Sequence, residues 1–362
     1  MIVMVNSRTS LCRWNAREGT VCSRLCAAID VLESYSKMTF PVENIVRILA
    51  INSGEATTTA RRTKNWASEL GGRYLRLSTY LVVSYLAYAY TWPIQEAHEW
   101  KWGWIMTVVI RNFAIEIVFY GGWHSFLYSL GYGQSKLRGK KFNKEDQYRA
   151  GSGHLQREQL YTTLGFCMSS AFEIATLHLW ATKSRILVPF YDDFFALENL
   201  SRSVLHCLFV AYWRDFHFYW VHRMMHKWNV KLFGVDPGGF LYKHVHSLHH
   251  KSRNPGPWSG LSMHPIEHLF YYTCVLTPVV FTIHPFHFLL NKFHADISPV
   301  AGHDGYDQPA GGSKFHYLHH TLVDCNYGTP MVPMDVLFGS YINPETSVEL
   351  SQRGGGGKQK GS

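Results

Sequence analysis

Sixteen of the chain's 21 histidines fall between residues 217 and 320, under a third of its 362 residues. A buried imidazole leaves a ring nitrogen in need of a partner, so this density is costly unless the rings share a purpose. The stretch "KHVHSLHHKSRNPGPWSGLSMHPIEH" (243–268) alone holds six histidines and one acidic residue, Glu267. The spacing is ordered too. "VHRMMH" places His222 and His226 four apart, while "HSLHH" sets His246, His249 and His250 at i, i+3 and i+4. "HYLHH" repeats that triplet at His316, His319 and His320. On a helix these offsets put the rings on one face about one turn apart, where neighbours converge on a shared ion. Eight such rings exceed the roughly four to six ligands one ion takes, and neutral imidazole suits iron, zinc, copper or nickel. Two metal ions are the economical reading. Any fold for this chain must bring three separated segments to one place.

The rest of the chain says where that place lies. Aromatic-rich apolar blocks run through 79–92, 102–123, 160–180, 203–222 and 269–290. A hydrocarbon core of roughly 30 Å needs about 20 residues of helix, and four of the blocks come near that length. Each is blemished, by Arg111 and Glu116, Glu173, Arg214 and Asp215, or the breaks at Pro278 and Pro285. Such charges belong in a bundle interior. Mean hydropathy is −0.12, low for a multi-span protein, so a soluble helical domain with a large aromatic core is the competing expectation.

Charged residues make up 17% of the chain against roughly 25% in ordinary soluble domains. The formal charge of +9 is spread between apolar blocks and forms no compact basic stripe, which argues for an anionic membrane surface and against nucleic acid. Seven cysteines without a CxxC pair read as reduced thiols.

These features predict an all-α integral membrane protein with about four transmembrane or re-entrant helices and a cytosolic helical cap holding a di-metal site. Residues 1–75 read as a flexible extension without a convincing cleavable signal, 76–200 as membrane helices, 201–345 as the catalytic domain and 346–362 as a disordered tail.

From about residue 205 to 342 the chain resembles the fatty acid hydroxylase and sterol desaturase superfamily of histidine-box membrane enzymes. The likeness rests on "RDFHFYWVHRMMH", "YKHVHSLHH", "SMHPIEH", "GHDGYD", "FHYLHH" and "CNYGTP…MDVLFGS". Within it, "MHP", "HDGYD" and "NYG" look most like sterol C5-desaturases and sterol C4-methyl oxidases; Met334 stands where the family usually carries Trp.

The resemblance implies two non-haem irons and molecular oxygen, with electrons from cytochrome b5 and its reductase. It implies a sterol or other lipid substrate and an endoplasmic reticulum membrane with the site facing the cytosol. By matched positions it implies His222, His226, His246, His249, His250, His316, His319 and His320 as metal ligands, with His264 and His303 beside them. Asp215, His244 and His268 are candidates to support ligands from behind. His217, His284, His287 and His294 read as structural or interfacial.

A zinc protease would show H-E-x-x-H, which is absent, and zinc offers no redox chemistry for an unactivated C–H bond. No "HPGG" haem segment and no G-x-G-x-x-G fingerprint appears, so electrons come from a partner, for which Lys140, Lys141 and Lys144 are a docking expectation. Whether the product is an alcohol or an alkene depends on sub-ångström placement of the substrate. A fatty acyl or sphingolipid hydroxylase is the alternative within the class. A bis-His haem electron-transfer protein and a divalent-metal transporter or store are the alternatives outside it.

Overall fold

The computed structural model describes residues 59–344 except 138–139, 146–147, 149–150 and 308–311, with only the backbone of 59–74. The expectations for 1–58 and 346–362, and Cys12, Cys22 and Cys26, lie outside these residues. The long helices and the histidine-rich segments all belong to one compact unit.

Helices carry the structure, and among the described residues there is no strand. Helix α1 is Thr59–Thr91. Helix α2, Trp102–Glu116, runs on through two π-turns to Ser129, followed by a short α3, Tyr132–Lys136. Two long helices follow, α4 (His154–Ala181) and α5 (Leu197–Met224). The remainder is shorter: α6 (Pro237–His244), α7 (Pro265–Tyr272), α8 (Pro285–Gly302) and α9 (Gly312–Leu322).

Three of these helices begin the same way. Asp236, His264 and His284 each precede a proline at the first helical position, and each side chain accepts the backbone N–H of the first turn. A capping acceptor satisfies an orphan donor there, and proline costs nothing where its missing N–H would be unused. The two His-Pro dipeptides are therefore helix starts.

Helix α8 is the hub. It packs against α1, α4, α5 and α9, and most of its side chains are buried. The apolar block at 269–290 accordingly does not form one helix: it breaks into the end of α7, two 3₁₀ turns around Pro278, and the start of α8. Prolines stop the ladder at both places.

Charges that interrupt the other blocks turn inward. Glu173 of α4 pairs with Arg111 of α2 and approaches Lys292 of α8, which also binds Asp296 at 2.7 Å. One described helix, Trp102–Ser129, is long and apolar enough to cross a membrane. Outside it, α5 exposes Leu208, Tyr212, Phe216 and Trp220 at successive i+4 positions, an apolar stripe that in water would be a liability. Cys167, Cys207, Cys274 and Cys325 are free thiols.

Candidate metal centre

Nine histidines meet in the interior in two groups. His222, His226, His246, His250 and His319 form one; His249, His303, His316 and His320 form the other. Within each group the ligand atoms lie within 4.8 Å of one another. All nine residues are buried.

Four segments supply them. His222 sits in the last turn of α5 and His226 in the turn beyond it. His246, His249 and His250 lie on a 3₁₀ segment, His246–Lys251, not on an α-helix. His303 follows the end of α8, and α9 carries His316, His319 and His320.

Each triplet divides two to one. His246 and His250 join the first group while His249 joins the second; His316 and His320 join the second while His319 joins the first. Every i, i+4 pair shares a group and every i+3 residue crosses over. The triplets thus lace the two groups together instead of each serving its own ion, as helical spacing alone suggests. His303 completes the second group.

Whether a metal fits can be judged from the ring nitrogens. The Nδ1–H of His222 donates to the Tyr327 carbonyl at 2.6 Å, and that of His319 to the Cys325 carbonyl at 2.6 Å. His246 Nδ1 faces Glu267 Oε1 at 2.7 Å, and His303 Nδ1 faces the Pro299 carbonyl at 2.9 Å. These partners fix the tautomer and leave Nε2 with its lone pair, as metal-bound histidines require.

Those Nε2 atoms point at one another: His222 to His246 at 3.0 Å, His246 to His250 at 3.0 Å, His250 to His319 at 3.1 Å. A ring nitrogen has one in-plane site, so His246 cannot hydrogen-bond both neighbours. A cation between the lone pairs relieves the conflict. Two nitrogens about 2.1 Å from one ion lie about 3.0 Å apart at right angles and about 3.4 Å apart in a tetrahedron. The observed spacings of 3.0–3.3 Å lie in this span and fit rings gathered about a shared ion. Both ring nitrogens of His226, and Nε2 of His316, are buried without a partner and open to the same use.

Burial holds the rings ready. It pushes His249, His250, His316 and His320 well below the usual histidine range, with neighbouring histidines adding to the effect. Burial likewise lowers His303 to about 4 and His319 to about 3. Neutral imidazole is the form that ligates.

Other sequence candidates lie elsewhere. His264 spends Nδ1 capping α7, at 3.2 Å from the Ile266 N–H, and joins neither group. His268 Nε2 meets the Tyr161 carbonyl at 3.0 Å with its ring against Gly165. His244 is exposed at the end of α6 and packs on Phe240. Asp215 pairs with its neighbour Arg214 at 3.0 Å.

The supporting residues that spacing did not reveal are Glu267 and the turn at 325–328. Asp335 accepts the N–H groups of Tyr327 and Gly328, and Asn326 ties the same turn to Ile342. The closing "NYG…MD" motif therefore aims two carbonyls at His222 and His319. Its visible signal was a buried-type Asp following a Gly turn, which has many other uses.

A cavity of about 400 Å³ opens onto these rings, lined near the metal groups by His222, His246, His249, His303 and His316. Leu77, Tyr80, Leu208, Tyr212 and Met331 line its apolar walls. Leu208, Tyr212 and Met331 also border an open apolar groove along α5 with Phe209, Phe216 and Pro333.

The family model for fatty acid hydroxylase matches residues 207–340, which hold all nine histidines and the supporting turn. These residues are thus similar to the fatty acid hydroxylase family. Among similar proteins, a very-long-chain aldehyde decarbonylase of Oryza sativa is 32% identical over 173 residues, 44% of this chain and 60% of that one. Methylsterol monooxygenase 2-2 of Arabidopsis thaliana is 31% identical over 160 residues, 40% of this chain and 56% of that one. Lathosterol oxidase of Rattus norvegicus is 25% identical over 290 residues, 75% of this chain and 85% of that one. The chain thus spans little more than half of the first two. The fatty acid hydroxylase family and these relatives are oxidoreductases. No solved structure matches the chain.

Proposed function

We propose that the chain is a membrane-bound, non-haem di-iron oxygenase that hydroxylates or desaturates a lipid, with a sterol favoured. The observation that carries this reading is the convergence of nine buried imidazoles, in two interlaced groups, at the head of an apolar cavity. Bound iron would supply oxygen activation and one-electron chemistry, which zinc lacks.

The chain's own residues supply the rest. The ten sequence candidates divide into nine rings able to hold the ions and His264, which caps a helix. Glu267 and the carbonyls of Tyr327, Cys325 and Pro299 orient four of those rings. The apolar walls exclude water and hold a hydrocarbon against the metal head, and the groove along α5 offers a lateral way in from the bilayer. The names lathosterol oxidase and methylsterol monooxygenase support a sterol over an acyl chain.

In this reading the protein sits in the endoplasmic reticulum membrane with its metal site toward the cytosol. Oxygen is the co-substrate and electrons come from a carrier such as cytochrome b5 with its reductase. The loop bearing Lys140, Lys141 and Lys144 supports a place for such a carrier. Its Lys140 carbonyl accepts the Asp307 N–H and its Phe142 N–H donates to Gly305, just past His303.

The test is lipid analysis of a host expressing the wild type or His249→Ala. A sterol or other lipid oxidised only with the wild type is expected; identical lipids in both would refute the reading.

A further inference from the structure

Nine consecutive residues, 227–235, are exposed between α5 and α6, and five of them are large and apolar: Trp228, Val230, Leu232, Phe233 and Val235. A contiguous apolar patch of this kind is unfavourable in water unless something covers it.

The segment is held in shape. Leu232 and Val235 exchange both backbone hydrogen bonds, at 2.8 and 3.1 Å. Phe233 and Gly234 between them have φ of 52° and 85°, as a tight two-residue hairpin turn requires. Asparagine, aspartate or glycine normally takes the first of these positions, because a bulky side chain is disfavoured at positive φ. Here Phe233 takes it and is 107% exposed. A strained turn that holds an aromatic ring clear of the fold points to a partner outside the chain.

The base of the hairpin is fastened as firmly. Both carboxylate oxygens of Asp236 accept backbone N–H groups, from Trp228 and Asn229 on one arm and Gly239 in α6. Trp228 Nε1 donates to the Met224 carbonyl, in the last turn of α5, at 2.9 Å. No side chain fits at Gly238, where Trp228 and the His226 carbonyl close in. The hairpin is thus joined to the end of α5 that carries His222 and His226.

Charge and position name the partner. From Arg223 to Arg253 the chain holds six Lys and Arg and one acid, Asp236, which is spent on the backbone. Lys227 and Lys231 stand exposed beside the apolar residues. The apolar stripe of α5 runs to Trp220, so the segment begins about two helical turns beyond it, where a lipid-facing helix gives way to headgroups. Tryptophan and lysine at that depth are the composition of a membrane interface. Anionic headgroups attract the lysines, and the hydrocarbon beneath takes the ring. An acidic protein would answer the lysines alone.

We infer that Trp228–Val235 is a membrane-inserting hairpin, distinct from the spanning helices. Leu232 and Phe233 sit among the upper acyl chains, and Lys227 and Lys231 sit on anionic headgroups. The hairpin holds the metal-bearing end of α5 against the bilayer surface. The inference rests on the lipid-facing reading of α5 and on nothing about oxidation.

Photocrosslinking of the full-length protein in nanodiscs of phosphatidylcholine and phosphatidylserine tests it. A benzophenone amino acid replaces Phe233 in one variant and Trp220, on the α5 stripe, in another. Because Phe233 stands clear of the fold, its replacement should leave the melting temperature unchanged. Irradiation should give phospholipid adducts at both positions, read by mass spectrometry of the peptides. Adding Lys231→Gln to the probe at position 233 should lower its phosphatidylserine adducts about fivefold, the attraction one lysine contributes at an anionic surface. Lipid adducts at position 220 with none at 233, or chain-to-chain adducts at 233, overturn the hairpin and leave the reading of α5 standing. Adducts at 233 alone support the hairpin and count against a lipid-facing α5. None at either position overturns both, and phosphatidylserine adducts unchanged by Lys231→Gln overturn the headgroup contact.

Discussion

Among the described residues Glu267 is the one carboxylate hydrogen-bonded to a clustered ring, with Oε1 on His246 and Oε2 buried without a partner. Glu267→Ala frees that ring to turn and should weaken metal affinity ten- to a hundredfold, roughly the usual cost of losing such a support. Glu267→Gln keeps an acceptor for Nδ1 and should recover most of it. Chelator competition reads both, and unchanged affinity in the alanine variant would remove Glu267 from the metal's support.

The depressed histidines make a second prediction, for the metal-free protein. An unfolded histidine takes its proton near about 6.5, whereas folded His303 and His319 wait until about 4 and about 3. Between those values the unfolded chain binds more protons, so stability present above about pH 6.5 drains away as pH falls. Melting temperature should therefore drop between about pH 7 and about pH 5; a flat profile would mean the rings are not held neutral by burial.

The i, i+4 spacing made the first eight histidines legible, and "HDGYD" pointed to His303. The division of each triplet was not, because the 3₁₀ path of 246–251 and the direction of each ring follow from packing. Glu267 stood in view as a lone acid but three residues from the wrong histidine, His264; its partner His246 lies 21 positions away.

At the scale of elements, the interior charge cluster joins α2, α4 and α8. Glu173→Gln leaves Arg111 and Lys292 facing each other with half their counter-charge and should destabilise the fold by about 3–5 kcal/mol. Gly165 of α4 has no such freedom either, since a Cβ there would lie 2.6 Å from the His268 ring. Gly165→Ala should cost about 1–3 kcal/mol of overpacking without touching a clustered histidine, read as lost thermal stability at unchanged metal content. Helix existence was visible in the apolar blocks. The fate of 269–290 was not, because prolines that merely kink some spans here release the chain into 3₁₀ turns and a mostly buried α8. The inward turn of Glu173 and Arg111 was legible from the cost of leaving charge in an apolar block.

For the whole molecule, one apolar helix and the exposed stripe on α5 make association with a bilayer the physical expectation. Carbonate-washed membranes should retain the protein, and release into the supernatant would place its apolar faces against another protein. The proposed chemistry depends on two interlaced sets of imidazoles gripping a pair of redox ions. Elemental analysis of active, detergent-purified protein tests that most directly. Two irons per chain are expected, falling in the His249→Ala and His319→Ala variants. Zinc alone, or no metal, in material that still oxidises lipid would contradict it.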